Sequence, residues 1–334
     1  MQIIKLRERI NNLLARRPHR SFRRSRRRDY IRGLKLPGYW SFTAKVHKLL
    51  WKNKKLFLSM TLFYSVLSAI LVGLASQDTY IELADMLQES GSEIFTGNWG
   101  EIGKASLLLG TSVLGGINQT PSEAQRIFAP LIFLLVWLST IWLLRSVMAG
   151  QKPRLRDALY NSGSPIVSTL LVSLVFLIQL LPAAFAALGF WAATQTGFIW
   201  DGLESMLFWV LIILLLVLSL YWGVSTFIAM IIITLPGMYP MRAIQTAGDM
   251  IVGRRLKILL RLLWMASYVV VTWFFIVVPI IIIDAWLKDI WPNTEWLPVV
   301  PVTILLLSSL TVVWSTAYIY ILYRKIVDDD TKTT

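Results

Sequence analysis

Eight arginines crowd into residues 16–28: Arg16, Arg17, Arg20, Arg23, Arg24, Arg26, Arg27 and Arg28. Guanidinium groups at that density bind phosphate oxygens, because each offers a planar fork of N–H donors. Two polyanions fit. One is the anionic headgroup layer of a membrane, and the other is RNA or the ribosome, on whose bases Phe22, Tyr30, Tyr39 and Trp40 would stack. A second, sparser set, Arg242, Arg254, Arg255 and Lys257, closes an amphipathic stretch and reads as contacts to lipid headgroups. Both sets bind and orient; neither performs a reaction.

The parts for catalysis are missing. The chain has no Cys, which removes disulfides, thiolate nucleophiles and Cys-based metal sites together. Its two His, His19 and His47, both fall in the first 55 residues, so the rest supplies neither a His-Glu zinc helix nor a Ser-His-acid triad. Asp78, Glu82 and Asp85 recur at helical spacing between Asp78 and Gln88, a pattern that reads as a solvated helix face. No catalytic residue, cofactor or metal is expected, and the protein is read as a non-enzyme.

What positions the charges is apolar. Six stretches are long and hydrophobic enough to cross a bilayer: Leu56 to Ala75, Phe128 to Met148, Pro165 to Trp191, Met206 to Leu235, Ile258 to Trp286 and Trp296 to Tyr323. With no water in hydrocarbon, each must satisfy its own backbone groups, and a helix of roughly 20 residues does so. The expected fold is all-α, a polytopic bundle of six transmembrane helices carrying cytoplasmic amphipathic helices. Its parts are a basic arm over residues 1–55, a membrane domain over 56–323 with a long outer loop at 76–127, and a tail at 324–334. Net charge divides along the same lines. Residues 1–55 hold 18 Lys and Arg against two acids, so a total of +14 leaves the remaining 279 residues at about −2.

Loop charges set the orientation, because cationic residues beside short loops stay in the cytoplasm. Lys152, Arg154 and Arg156 follow the second span, and Arg242, Arg254, Arg255 and Lys257 follow the fourth, whereas residues 192–205 carry no basic residue and 287–295 only Lys288. Both termini are therefore expected in the cytoplasm of a bacterial cell, with the chain in its inner membrane. The basic run is too long for a signal peptide's n-region, so the arm is expected to stay attached; an organellar transit peptide is the other reading of an Arg- and Ser-rich start.

Local patterning adds detail. Ile3, Leu6, Ile10, Leu13 and Leu14 mark one amphipathic helix in the arm, and Phe42, Val46, Leu49 and Leu50 mark a second, with Ser41 as N-cap and a direct run into the first span. Pro240 opens another, with Ile244, Ala247 and Ile251 on one side. Pro153 to Ala158 echoes it weakly. Ser65, Ala69 and Gly73 recur every four residues as a packing seam, and Gln179, central in the third span, is expected to bond to a neighbouring helix. Arg145, Arg261 and Asp284 lie near span ends, from which their side chains are expected to reach headgroup water. Pro182, Pro236, Pro279 and Pro301 should bend or end helices.

The segment Pro236-Gly-Met-Tyr-Pro-Met-Arg-Ala-Ile-Gln-Thr-Ala-Gly-Asp-Met-Ile-Val-Gly-Arg-Arg-Leu-Lys resembles the linker of a bacterial six-span family that includes the membrane domain of glycerophosphoryl diester phosphodiesterases. The closing Ala317-Tyr-Ile-Tyr-Ile-Leu-Tyr-Arg-Lys is similar to that family's terminal span. The resemblance implies the fold and a membrane location. It does not imply hydrolysis, because the chain lacks the metal-binding acid and histidine set. The function expected from the sequence is a noncatalytic membrane scaffold or lipid-associated envelope factor whose arm holds anionic lipid or another polyanion. The alternative is a transporter or channel for a lipid-like or small uncharged substrate.

Overall fold

A computed structural model describes residues 36–73, 123–196, 203–291 and 297–333. The arginine cluster, the amphipathic segment at 1–17 and the helical reading of 78–88 lie outside these residues. The described chain is helical: α1 Tyr39–Lys52, α2 Lys54–Leu71, α3 Glu123–Met148, α4 Leu155–Ser162, α5 Ile166–Thr196, α6 Leu203–Ile232, α7 Pro240–Ile251, α8 Arg255–Ile290 and α9 Val299–Thr333. Six of these, α2, α3, α5, α6, α8 and α9, are long and apolar enough to cross a membrane, and they coincide with the six expected spans.

Successive spans run antiparallel. Tyr64 of α2 shares a 2.6 Å hydrogen bond with Ser139 of α3, and the Trp273 indole of α8 donates to Thr311 of α9 at 2.9 Å. α9 packs on α1, α2, α3, α6 and α8, which makes it the central post. The main core joins Tyr64, Trp137, Leu144, Ile231 and Tyr318, while a smaller one joins Trp273, Val277 and Ile281 to Val300, Ile304 and Leu307. α5 and α6 form a hairpin set against this post. There a Cβ on Gly223 would lie 3.1 Å from the Phe176 ring, so a bare backbone permits the approach.

Outward faces are as apolar as the core. Leu174, Leu177, Ile178 and Phe185 of α5 and Ile213, Leu214 and Val217 of α6 are exposed. In water such surface costs about 25 cal/mol per Å², whereas hydrocarbon imposes no such penalty. Helices apolar on every side are what a bilayer selects, and the described chain is a multi-pass membrane bundle.

The short helices α1, α4 and α7 all lie at one end, where α2, α5 and α8 begin and α3, α6 and α9 finish. Each has a reason in sequence. Pro240 takes the first position of α7, where a missing N–H costs nothing, and Ala243, Ala247 and Ile251 then fall on one buried stripe. Asp157, in the first turn of α4, accepts the Arg154 amide at 3.2 Å. Gly150 ends α3 at φ +79°, with its amide on Val147 O and that of Gln151 on Ser146 O, a Schellman stop. α6 stops differently: Thr234 N and Leu235 N bond to Ile231 O and Ile232 O in tight turns ahead of Pro236, and Gly237 at φ +74° then turns the chain toward α7. Thus α3–α4–α5 and α6–α7–α8 share one order: span, short helix, proline-bearing span.

Four local expectations need correction. α1 begins two residues before Ser41, capped by Gly38, and the Ser41 hydroxyl donates back to Gly38 O at 2.9 Å. α1 does not run into α2; Asn53 breaks the helix and caps both sides. Gly73 is no part of a packing seam, since it lies beyond α2 at φ +88° with nothing within 4 Å of a Cβ. Arg261 and Asp284 do not reach out: Arg261 is 5% and Asp284 8% exposed, and Asp284 pairs with Lys288 at 2.5 Å.

Candidate functional site

Charge is distributed unevenly over the bundle. Apart from Arg126 and Lys288, every Lys and Arg of the described residues lies in the half that carries α1, α4 and α7. The candidate site is this basic end.

Of the four expected headgroup contacts, Arg242 on α7 and Lys257 on α8 are exposed. Arg255 is half-buried, its guanidinium 4.3 Å from the centre of the Tyr221 ring. Arg254 departs from the expectation. It is 1% exposed and its Nη2 lies 3.0 Å from Asp329 Oδ2 of α9, tying the α7–α8 turn to the end of the central post. A buried cation persists only when paired, so Arg254 is a structural strut and no headgroup ligand. Arg16, Arg17, Arg20, Arg23, Arg24, Arg26, Arg27 and Arg28 lie outside the described residues.

α1 is clamped across the ends of α8 and α9. Arg261 donates to Pro37 O, and its guanidinium carbon lies 4.1 Å from the Tyr39 ring centre. The Trp264 indole donates to Thr43 at 3.1 Å, and Phe42 meets Tyr318 edge-on at 4.8 Å. Further along, His47 Nε2 lies 3.0 Å from the Tyr268 hydroxyl, and its ring leans on Trp314. This partial burial holds the His47 pKa below its ordinary 6.5, so the ring is neutral at pH 7.

Among the described residues, a smaller and a larger cavity open at this end. The smaller, about 480 Å³, lies among α3, α4, the start of α5 and the α6–α7 turn. Arg145 lines it, donating to Thr234 O at 3.2 Å and to Thr234 Oγ1 at 2.7 Å, together with Asn161, Ser162, Ser164 and Ser168. The larger, about 730 Å³, is a cleft whose walls are α2 and α8, with α9 behind it and α1 at its basic end. Apolar side chains line most of it: Phe57 and Leu58 from α2, Val269 and Trp273 from α8, and Leu307 and Leu310 from α9. The polar groups of its deep part are already partnered, Thr272 on Tyr268 O at 2.8 Å and Thr311 on Trp273. Its cations are Lys48 and Lys54, both exposed.

Local sequence pattern does not mark this cleft, because its parts come from four helices, each contributing three to five residues with no shared spacing. The one signal present was aromatic: Trp51, Tyr268, Trp273 and Trp314 all border it. Among the described residues, no three of His, Asp and Glu gather to hold a metal. No protein-family model, curated protein or solved structure matches this chain, and none of these comparisons links it to the phosphodiesterase membrane domain.

Proposed function

We propose that the protein is a noncatalytic scaffold of the bacterial cytoplasmic membrane that gathers anionic lipid at its basic end. The observation carrying this reading is the segregation of described cations into the half bearing α1, α4 and α7. Cationic loops are retained in the cytoplasm, and the inner leaflet they meet is negative. Both termini are then cytoplasmic, and α1, α4 and α7 are cytoplasmic-side interfacial helices. Each exposed cation near that leaflet contributes about 1 kcal/mol, so Arg242 and Lys257, with the half-buried Arg255 adding less, favour anionic lipid there, and the arginines at 16–28 extend the same attraction toward lipid or RNA phosphates. A carrier for a lipid-like substrate is the second reading, favoured by the cleft beside α8 and by Pro182 and Pro279 within spans.

Extraction of the full chain in polymer-bounded native discs tests the first reading. Anionic phospholipid should be enriched over the bulk membrane, and Arg242→Gln/Arg255→Gln/Lys257→Gln should remove most of that enrichment. Proteoliposomes should flip no labelled phospholipid faster than protein-free vesicles. Flipping well above that background would favour the carrier and reject the scaffold.

A further inference from the structure

The cleft between α2 and α8 has the construction of a site for one lipid. At about 730 Å³ it falls within the roughly 300–1,000 Å³ that ligand pockets occupy. From Trp314 back to Leu307 it follows α9 for seven residues, roughly 10 Å at the helical rise. Its deep surface is largely apolar: the Trp273 indole and the Thr272 hydroxyl already have acceptors inside the protein, and only toward the basic end does a lining donor, the buried Trp314 indole N–H, have no hydrogen-bond partner among the described residues. Its basic end differs. Lys48 and Lys54, on either side of the Asn53 break, stand exposed beside Trp51, with Lys54 Nζ 5.0 Å from that ring's centre. Among the described residues, no carboxylate lines the cleft to neutralise them.

We propose that this cleft binds a single anionic phospholipid, its phosphate between Lys48 and Lys54 and one acyl chain along Leu58, Trp273 and Leu310. The inference rests on the reading of the basic end as the anionic-leaflet side and assigns it a defined site. Charge selects the occupant. The chain's own residues 1–35 carry 13 Lys and Arg against two acids, the same sign as the two lysines, and a neutral apolar molecule would leave both cations without a counter-charge. The Asn53 break has a role here, since it turns Lys48 and Lys54, on different helices, toward one cleft.

Native mass spectrometry of the full chain with added phosphatidylglycerol or phosphatidylcholine tests the site. One phosphatidylglycerol should be retained per chain at concentrations where phosphatidylcholine is not. Lys48→Gln/Lys54→Gln should weaken retention by roughly thirtyfold, the equilibrium weight of two interfacial cations. Leu310→Trp, which fills the cleft without touching a charge, should abolish it while leaving the elution profile and helical content unchanged. If phosphatidylglycerol is preferred but both variants keep it, the site is wrong and the general reading of the basic end survives. If the wild type shows no preference, both fall. A dimer that Leu310→Trp dissolves would mean a second copy fills the cleft, and would overturn the proposal.

Discussion

Arg254 and Arg255 are adjacent and identical in type, yet one is buried against Asp329 and the other lies half-buried over Tyr221. What separates them is backbone. Gly253 at φ +77° turns the chain between α7 and α8, and the first residue past that turn points into the bundle. No pattern of side-chain types encodes this, so the two arginines look alike in the sequence. Removing only the counter-charge should be costly: Asp329→Asn leaves a buried guanidinium short of its anion and should lower stability by about 3 kcal/mol in thermal unfolding in detergent. Replacing both, Arg254→Met/Asp329→Leu, should recover much of the loss. Gln179 was legible where Arg254 was not. A lone amide deep in an apolar span has to find a partner, and Thr226 donates to it at 2.5 Å. Likewise the α5 backbone beside Pro182 finds one, Ala183 N donating to Ser219 Oγ at 3.0 Å.

At the scale of elements, the spans were legible because roughly 20 apolar residues leave a chain little choice, and α7 because a leading proline and a clean stripe mark both its start and its buried face. α1 was legible as a helix but not as a lid on α8 and α9, since that docking depends on Arg261, Trp264 and Tyr268 more than 200 residues away. The docking has a pH dependence whose sign follows from His47. Burial disfavours the charged ring, so the folded chain binds that proton less readily than the unfolded one. Stability is therefore full above about pH 6.5 and declines as pH falls from there toward the lowered value. Unfolding temperatures measured at pH 7.5 and 5.5 should show that decline, and His47→Gln, which keeps a partner for Tyr268 but cannot ionise, should flatten it. An equal decline in both proteins would place the acid sensitivity elsewhere.

For the molecule as a whole, one asymmetry governs the account: the helices that cross are nearly uncharged, and the short helices at one end are surrounded by cations. The two facts have a common origin, because charge is excluded from hydrocarbon and is retained on the side where translocation is hardest. A chain without cysteine allows this to be read directly, since any single introduced thiol is the only one present. Lys152→Cys and Lys257→Cys place a thiol at the basic end, and Gln125→Cys and Trp291→Cys place one at the opposite end. Labelling of intact spheroplasts with a membrane-impermeant maleimide should modify Gln125→Cys and Trp291→Cys at once, and Lys152→Cys and Lys257→Cys only after the membrane is permeabilised. Labelling of Lys152→Cys or Lys257→Cys from outside intact cells would contradict the orientation, and with it the assignment of the basic end to the anionic leaflet.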